Sequence, residues 1–183
     1  MFDNIEIEEL FLGLLVTKIS TQRLDLVSLS APDVFLLRPF FQDPDIRFHF
    51  FNDDHPPQKL IDRFLQDNLW SSQSSSCGLW LARNRESQAI IGFGGLVYLP
   101  RFPYPELHLA VGREFRRCGY GTEIAMRLIW FALYQKDFKV VLSSVEHTND
   151  PAIRLLLNCR MHLNKIIPWK GRYYHQFAIL QSN

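Results

Sequence analysis

The sequence predicts a single α/β sandwich built on a mixed sheet, and three observations carry that expectation. Hydrophobic periodicity orders the chain as strand, two helices, three strands, helix, strand, helix and two strands. One helix separates the strands near residues 106 and 139, which requires a parallel, right-handed βαβ crossover. The strands at 78–83 and 89–99 are instead joined by the short stretch 84–88 and pair as an antiparallel hairpin. With 183 residues, 47% hydrophobic and 21% charged, the chain has the size and balance of one globular core.

Taken in order, residues 23–29 (RLDLVSL) alternate apolar and polar side chains, the period of a strand. Pro32 and Asp33 start a helix that reaches Phe41. Residues 43–57 hold Pro44, Pro56 and Pro57 among Phe48, Phe50 and Phe51, which predicts an irregular, aromatic-rich connection. Leu60, Ile61, Phe64, Leu65 and Leu69 have helical spacing over 58–70, and the serine-rich stretch 71–76 reads as a surface loop. The hairpin strands follow, and Pro100, Pro103 and Pro105 keep the next turn extended. Residues 106–111 (ELHLAV) form a strand, 121–136 a helix with Ile124, Leu128, Phe131 and Ala132 on one stripe, and 139–145 a strand. Pro151 opens a helix to Asn158, and strands near 163–169 and 173–180 close the chain.

Residues 10–16 (LFLGLLV) follow Asp3, Glu6, Glu8 and Glu9, whereas a signal peptide opens on positive charge. They are expected to face the core or a partner in a cytoplasmic protein, with 1–16 as an N-terminal extension and 17–183 as the domain proper. No stretch reaches the roughly 18–20 apolar residues that span a bilayer. A net charge of +1 argues against a duplex-DNA binder, leaving Arg113, Arg116 and Arg117 as the only basic cluster to consider. Cys77, Cys118 and Cys159 are odd in number and widely spaced, which fits neither a disulfide framework nor a metal site. HExxH and GxSxG are both absent, so zinc-protease and serine-hydrolase readings fall away.

The residues richest in chemistry run from Glu106 to Glu123. A strand leads through Arg116, Arg117, Cys118, Gly119, Tyr120 and Gly121 directly into an amphipathic helix. Glycines there let successive backbone N–H groups converge, and the helix offers its unpaired first-turn N–H groups and positive dipole end at the same point. That combination suits phosphate. A Walker loop is absent, and Ile124 stands where a dinucleotide fingerprint needs its third glycine. Gly92, Gly94 and Gly95 read as strand glycines beside which another backbone or a ligand passes closely.

Arg-x-x-Gly-x-Gly between a strand and a helix resembles the coenzyme A signature of the Gcn5-related N-acetyltransferases (GNAT). The flanking residues 106–111 and 121–123, the opening Thr21-x-Arg23-Leu24-x-Leu26 and Asn149 are similar to the branch that acetylates ribosomal-protein N-termini. The resemblance covers residues 17–180. It implies a three-layer α/β/α domain around a mixed, mostly antiparallel sheet. It also implies that Leu109, Ala110 and Val111 pair with the pantetheine arm. The backbone of Arg116, Arg117, Cys118, Gly119, Tyr120, Gly121 and Thr122 would hold the pyrophosphate, and Asn149 would touch the cofactor where the two parallel strands splay apart.

The reaction so implied needs a neutral amine to attack a thioester carbonyl and a proton for the departing thiolate. Glu106 matches the family's strand carboxylate and is the first candidate to take the amine proton, directly or through water; it also reads as a strand-end surface charge. His108 shares its strand face and is a second candidate. Glu146 and His147 lie near the splay. Where related enzymes often carry a serine or a tyrosine after the asparagine, this chain has Ala152 and Leu156, so position assigns no general acid. Tyr173, Tyr174 or solvent are the substitutes. The resemblance places the acceptor against 40–55 and 167–174, where Asp43, Asp45, Asp53 and Asp54 face Arg47, Lys170 and Arg172 in composition.

The expectation is therefore an N-acyltransferase moving acetyl from acetyl-CoA to a primary amine (a protein N-terminus, peptide or small molecule). It would act as a monomer or homodimer, without a metal, nucleic-acid or membrane partner. The alternative is a catalytically silent acyl-CoA sensor, motivated by Ala152 and Leu156.

Overall fold

The computed structural model describes residues 7–10, 14–51, 58–74, 77–98 and 103–182. Nine strands form one mixed sheet: β1 (Ile7–Leu10), β2 (Leu14–Ser20), β3 (Leu24–Ser28), β4 (Gly78–Asn84), β5 (Ile90–Val97), β6 (Glu106–Val111), β7 (Val140–Glu146), β8 (His162–Trp169) and β9 (Arg172–Leu180). Their spatial order is β1-β2-β3-β4-β5-β6-β7-β9-β8. Every pairing is antiparallel except β6 with β7. The helices are α1 (Pro44–Phe51), α2 (Gln58–Ser74), α3 (Tyr120–Trp130) and α4 (Asp150–Asn158), with a 3-10 helix over Ala31–Gln42 and a π turn over Phe131–Gln135 that ends α3. Among the described residues no helix is long and apolar enough to cross a membrane.

Alternation along the strands builds the three layers. On β4, Trp80 and Ala82 point into a core shared with Ile124 and Leu128 of α3 and Leu156 of α4. Leu79 and Leu81 point the other way, into a core with Leu37 and Phe41 of the 3-10 helix, Ile46 of α1, and Ile61 and Leu65 of α2. The period of 2 that predicts a strand thus also divides its side chains between two helical layers. On β5, a Cβ at Gly94 would lie 2.6 Å from Ile124 and 2.8 Å from Leu128, so α3 seats directly on the sheet there.

Three stretches differ from the sequence expectation. Residues 44–51, expected to be irregular, are helical. Asp43 accepts the backbone N–H of Asp45 at 2.9 Å, and Pro44 stands at the first helical position, where its missing N–H costs no intrahelical bond. Ile46, Phe50 and Phe51 then pack on the aromatic cluster of Phe41, Phe64 and Phe93. Helix α2 continues through Ser74, since nothing between 58 and 74 is a Gly or Pro that would break it; Ser75 and Ser76 lie outside the described residues. At the N-terminus, Ile7–Leu10 and Leu14–Ser20 form an antiparallel pair that extends the sheet beyond β3.

The topology places the site. Strands β6 and β7 are adjacent and parallel, yet they pair only at Glu106 and Leu142. From there they separate, and Ser143 takes up the Leu107 carbonyl with its own hydroxyl, at 2.9 Å. The remaining carbonyls and N–H groups of β6 on that side have no ladder partner from β7.

Candidate active site

The loop after β6 runs through Gly112 and a 3-10 turn at Arg113–Phe115 into α3. Gly119 caps that helix at φ +83°, a left-handed conformation open to glycine, and Arg117 also has positive φ, at 62°. The N–H groups of Tyr120, Gly121 and Thr122 open the helix and lack i−4 partners by geometry. Gly121 has another purpose: a Cβ there would lie 2.8 Å from Leu155 of α4. Its missing side chain brings α3 and α4 together.

Two residues from the start of the chain brace this loop. Glu123 accepts from the Arg23 backbone at 2.9 Å, from Arg23 Nε at 2.7 Å and from the Thr21 hydroxyl at 2.5 Å. Arg23 also donates to the Cys118 carbonyl at 3.0 Å and stacks over Tyr120, 4.3 Å from the ring centroid. These bonds outweigh partial burial and hold the Glu123 carboxyl below its ordinary range. Thr21 and Arg23, matched above only as part of a strand motif, are the fasteners of the loop. The Cys118 thiol is exposed. Arg116 turns away from the loop's mouth: its guanidinium meets Asp43 at 2.7 Å and Asp45 at 3.0 Å.

The splay between β6 and β7 opens a cleft of about 130 Å³ that reaches both sheet faces. Leu107 and Leu109 of β6 and Leu155 and Leu156 of α4 line one side; His49 and Phe50 of α1 line the other, with His108, Ser144 and Glu146 between them. Ala110 faces the α1 layer, whereas Leu109 and Val111 face α3. Asn149 caps α4, its carboxamide oxygen accepting the Ala152 N–H at 3.2 Å, and also lines the cleft. Ala152 and Leu156 line it too, so no acid stands at those positions. Tyr173 and Tyr174 lie on β9 outside the lining, and His147 contacts the Tyr173 carbonyl rather than the cleft.

Glu106 is 2% exposed and sits behind the cleft wall. Its two oxygens are divided: one accepts from Ser144 Oγ at 2.6 Å, the other lies 3.3 Å from His108 Nε2. Burial pushes this carboxyl up, but the hydrogen bond and charge of His108, with hydrogen bonds from Ser144 and Gln176, outweigh it and leave the group below its ordinary value. An ionised carboxylate only accepts, so Nε2 donates in this contact, and whenever the ring is neutral the lone pair is on Nδ1. The pair is thus a buried anion behind an imidazole that faces the cleft. The expected strand-end surface charge is not what this carboxylate is.

At the cleft's other end, Glu146 is 8% exposed, with Arg172 Nη1 at 3.3 Å and His49 Nδ1 at 3.9 Å. His49 escaped the sequence reading because it sits in the segment read as irregular. Burial lowers its pKa, against the opposing pull of Glu146 and Asp45. The unfolded chain therefore binds this proton first, and the fold loses stability as pH falls through the ordinary imidazole range near 6.5. The melting temperature is expected to drop between pH 7 and 5.5, and His49→Gln to flatten that drop; an unchanged slope would show that His49 does not cause it. Asp53 and Asp54, named above as acceptor-side charges, lie outside the described residues. Among the described residues no group of three or more His, Cys, Asp or Glu side chains is arranged for a metal.

Similar proteins share this architecture. An acetyltransferase from Agrobacterium tumefaciens str. C58 superposes with a TM-score of 0.78 at 19% identity, covering 95% of this chain and 99% of that one. A spermidine N-acetyltransferase from Vibrio cholerae, in complex with CoA and spermine, gives 0.71 at 13% identity, with 88% and 97% covered. A ribosomal-protein-S5-alanine acetyltransferase from Vibrio fischeri gives 0.72 at 9% identity, with 91% and 97% covered. No curated protein matches the chain in sequence. The model of the acetyltransferase (GNAT) domain matches residues 23–162, from the arginine that braces the loop before α3 to the start of β8. With the splayed parallel pair and the glycine-capped helix inside that span, the chain belongs to the GNAT acetyltransferase family.

Proposed function

We propose that this protein is an N-acetyltransferase that moves acetyl from acetyl-CoA to a primary amine, a protein or peptide N-terminus or a small amine. One observation carries the reading: His108, backed by the buried Glu106, lines the cleft where β6 and β7 part. The residues present fit the cosubstrate. The edge of β6 that faces away from β5 offers the N–H and carbonyl of Leu109 and the N–H of Val111, while Ala110, paired with Phe93, turns its own groups to β5. The first turn of α3 offers its N–H groups to a diphosphate. When bound, acetyl-CoA supplies the thioester carbonyl. Leu155, Leu156 and Phe50 limit water around the reacting atoms. His108 takes the amine proton at Nδ1, and Glu106 holds the ring's orientation and offsets the imidazolium charge. Glu146 in the lining and Glu106 behind it set two carboxylates against the guanidinium of Arg172, a balance that favours a cationic amine as the arriving species.

A second reading, the silent acyl-CoA sensor, rests on the absence of a proton donor at Ala152 and Leu156. Two measurements separate the two. CoA at about 100 times its Kd should stabilise the fold by roughly 2.7 kcal/mol, since it binds only the folded state; no thermal shift at millimolar CoA would overturn both readings. Thiol release with a panel of N-terminal peptides, polyamines and small amines is expected for the enzyme. Stabilisation without turnover on any amine class would leave the sensor.

A further inference from the structure

The guanidinium of Arg116, a residue of the phosphate loop by sequence, is engaged on the opposite side of β6 from the helix that follows it. Nη2 meets Asp43 Oδ2 at 2.7 Å, Nη1 meets Asp45 Oδ2 at 3.0 Å, and Nε donates to the Val111 carbonyl at 3.2 Å. The Asp43 side chain is 13% exposed and Arg116 31%, so the pair is partly shielded from solvent. Asp43 is also the residue that caps α1, through its other oxygen and the Asp45 N–H. Arg116 therefore grips the first residues of the helix whose far end brings His49 and Phe50 to the cleft. Phe50 in turn lies 6.0 Å from the His108 ring. A fork with planar donors suits this grip, because it meets two carboxylates and a carbonyl at once in fixed directions.

We propose that Arg116 is a positioning residue for the acceptor side of the cleft. It latches α1 to the end of β6, so that the wall formed by His49 and Phe50 stands in register with His108. Charge toward a diphosphate is then left to the helix N–H groups and to Arg117, which has no ion-pair partner among the described residues. The latch also joins the two halves of the site, since the loop that meets one substrate and the helix that meets the other share this one side chain. The inference rests on the acetyltransferase reading only where it concerns the amine; the mechanical claim stands apart from it.

The test compares Arg116→Gln and Asp43→Asn, the second chosen because asparagine still caps a helix. Three quantities are read: amide hydrogen exchange over residues 44–51, the Kd of CoA by calorimetry, and KM and kcat for the best amine. Both variants are expected to speed exchange in α1 while leaving α3 protected, to keep the Kd of CoA within about twofold, and to raise the amine KM on the order of tenfold. The double variant is expected to be no worse than Arg116→Gln alone, since that change already removes the contact with Asp43. Unchanged exchange in α1 would overturn the latch. So would a Kd for CoA weakened tenfold by Arg116→Gln and untouched by Asp43→Asn, which would make Arg116 a phosphate ligand. If no amine is turned over at all, the acetyltransferase reading fails, and the exchange data alone decide the latch.

Discussion

Replacing His108 with glutamine is expected to lower kcat by about 10²–10⁴-fold while leaving the Kd of CoA and the melting temperature near those of the parent protein. That range is what general-base catalysis ordinarily contributes. Glutamine keeps the size and polarity of the side chain but has no basic lone pair. Glu106→Gln should lower kcat less, because the base remains and only the anion that orients it and balances its charge is lost. The two losses should not add: once His108 is gone, Glu106 has no imidazolium to stabilise, so the double variant should match His108→Gln. Both deficits should shrink as pH rises toward the amine's own pKa, where more acceptor arrives already neutral. If Glu106→Gln proves the more damaging change, the carboxylate itself, acting through a water or Ser144, is the base. If the effect appears in KM alone, both groups merely bind the acceptor.

Gly119→Val is expected to weaken CoA binding by about 10–100-fold in a protein that still folds. Gly119 caps α3 at φ +83°, and a β-branched residue held in that region carries about 1–3 kcal/mol of strain. Relieving the strain rotates the peptides whose N–H groups are proposed to hold the diphosphate, so the strain should be read out as lost affinity. The nearest atom to an added Cβ is Arg23 Nη2, at 3.4 Å, so the core beneath is not overpacked. Gly121→Val should behave differently. Its Cβ meets Leu155 at 2.8 Å between α3 and α4, so the first effect is on packing and stability. Equal CoA affinity in Gly119→Val and the parent would mean that the diphosphate does not rest on this cap.

The strand order around β6, the parallel crossover through α3 and the glycine turn that opens that helix were legible in the sequence because each is written locally. A period of 2 marks a strand, a period near 3.6 marks a helix, and two glycines mark the turn between them. The likeness to the acetyltransferases rested on the same local strings. Helix α1 was missed although its Asp43-Pro44 start is a capping pattern, since three prolines in fifteen residues outweighed it. What no local pattern encodes is which distant side chains meet. Glu123 finds Arg23 across 100 residues, Arg116 finds Asp43 across 73, and Ser144 finds Glu106 across 38. Spacing put Glu106 and His108 on one strand face, but only the packed sheet decided that the carboxylate is buried behind the imidazole and that the imidazole lines the cleft. The reason is physical: the direction of a side chain follows from the strand's own period, whereas its burial, its charge partners and its proton affinity follow from the layers that close over it.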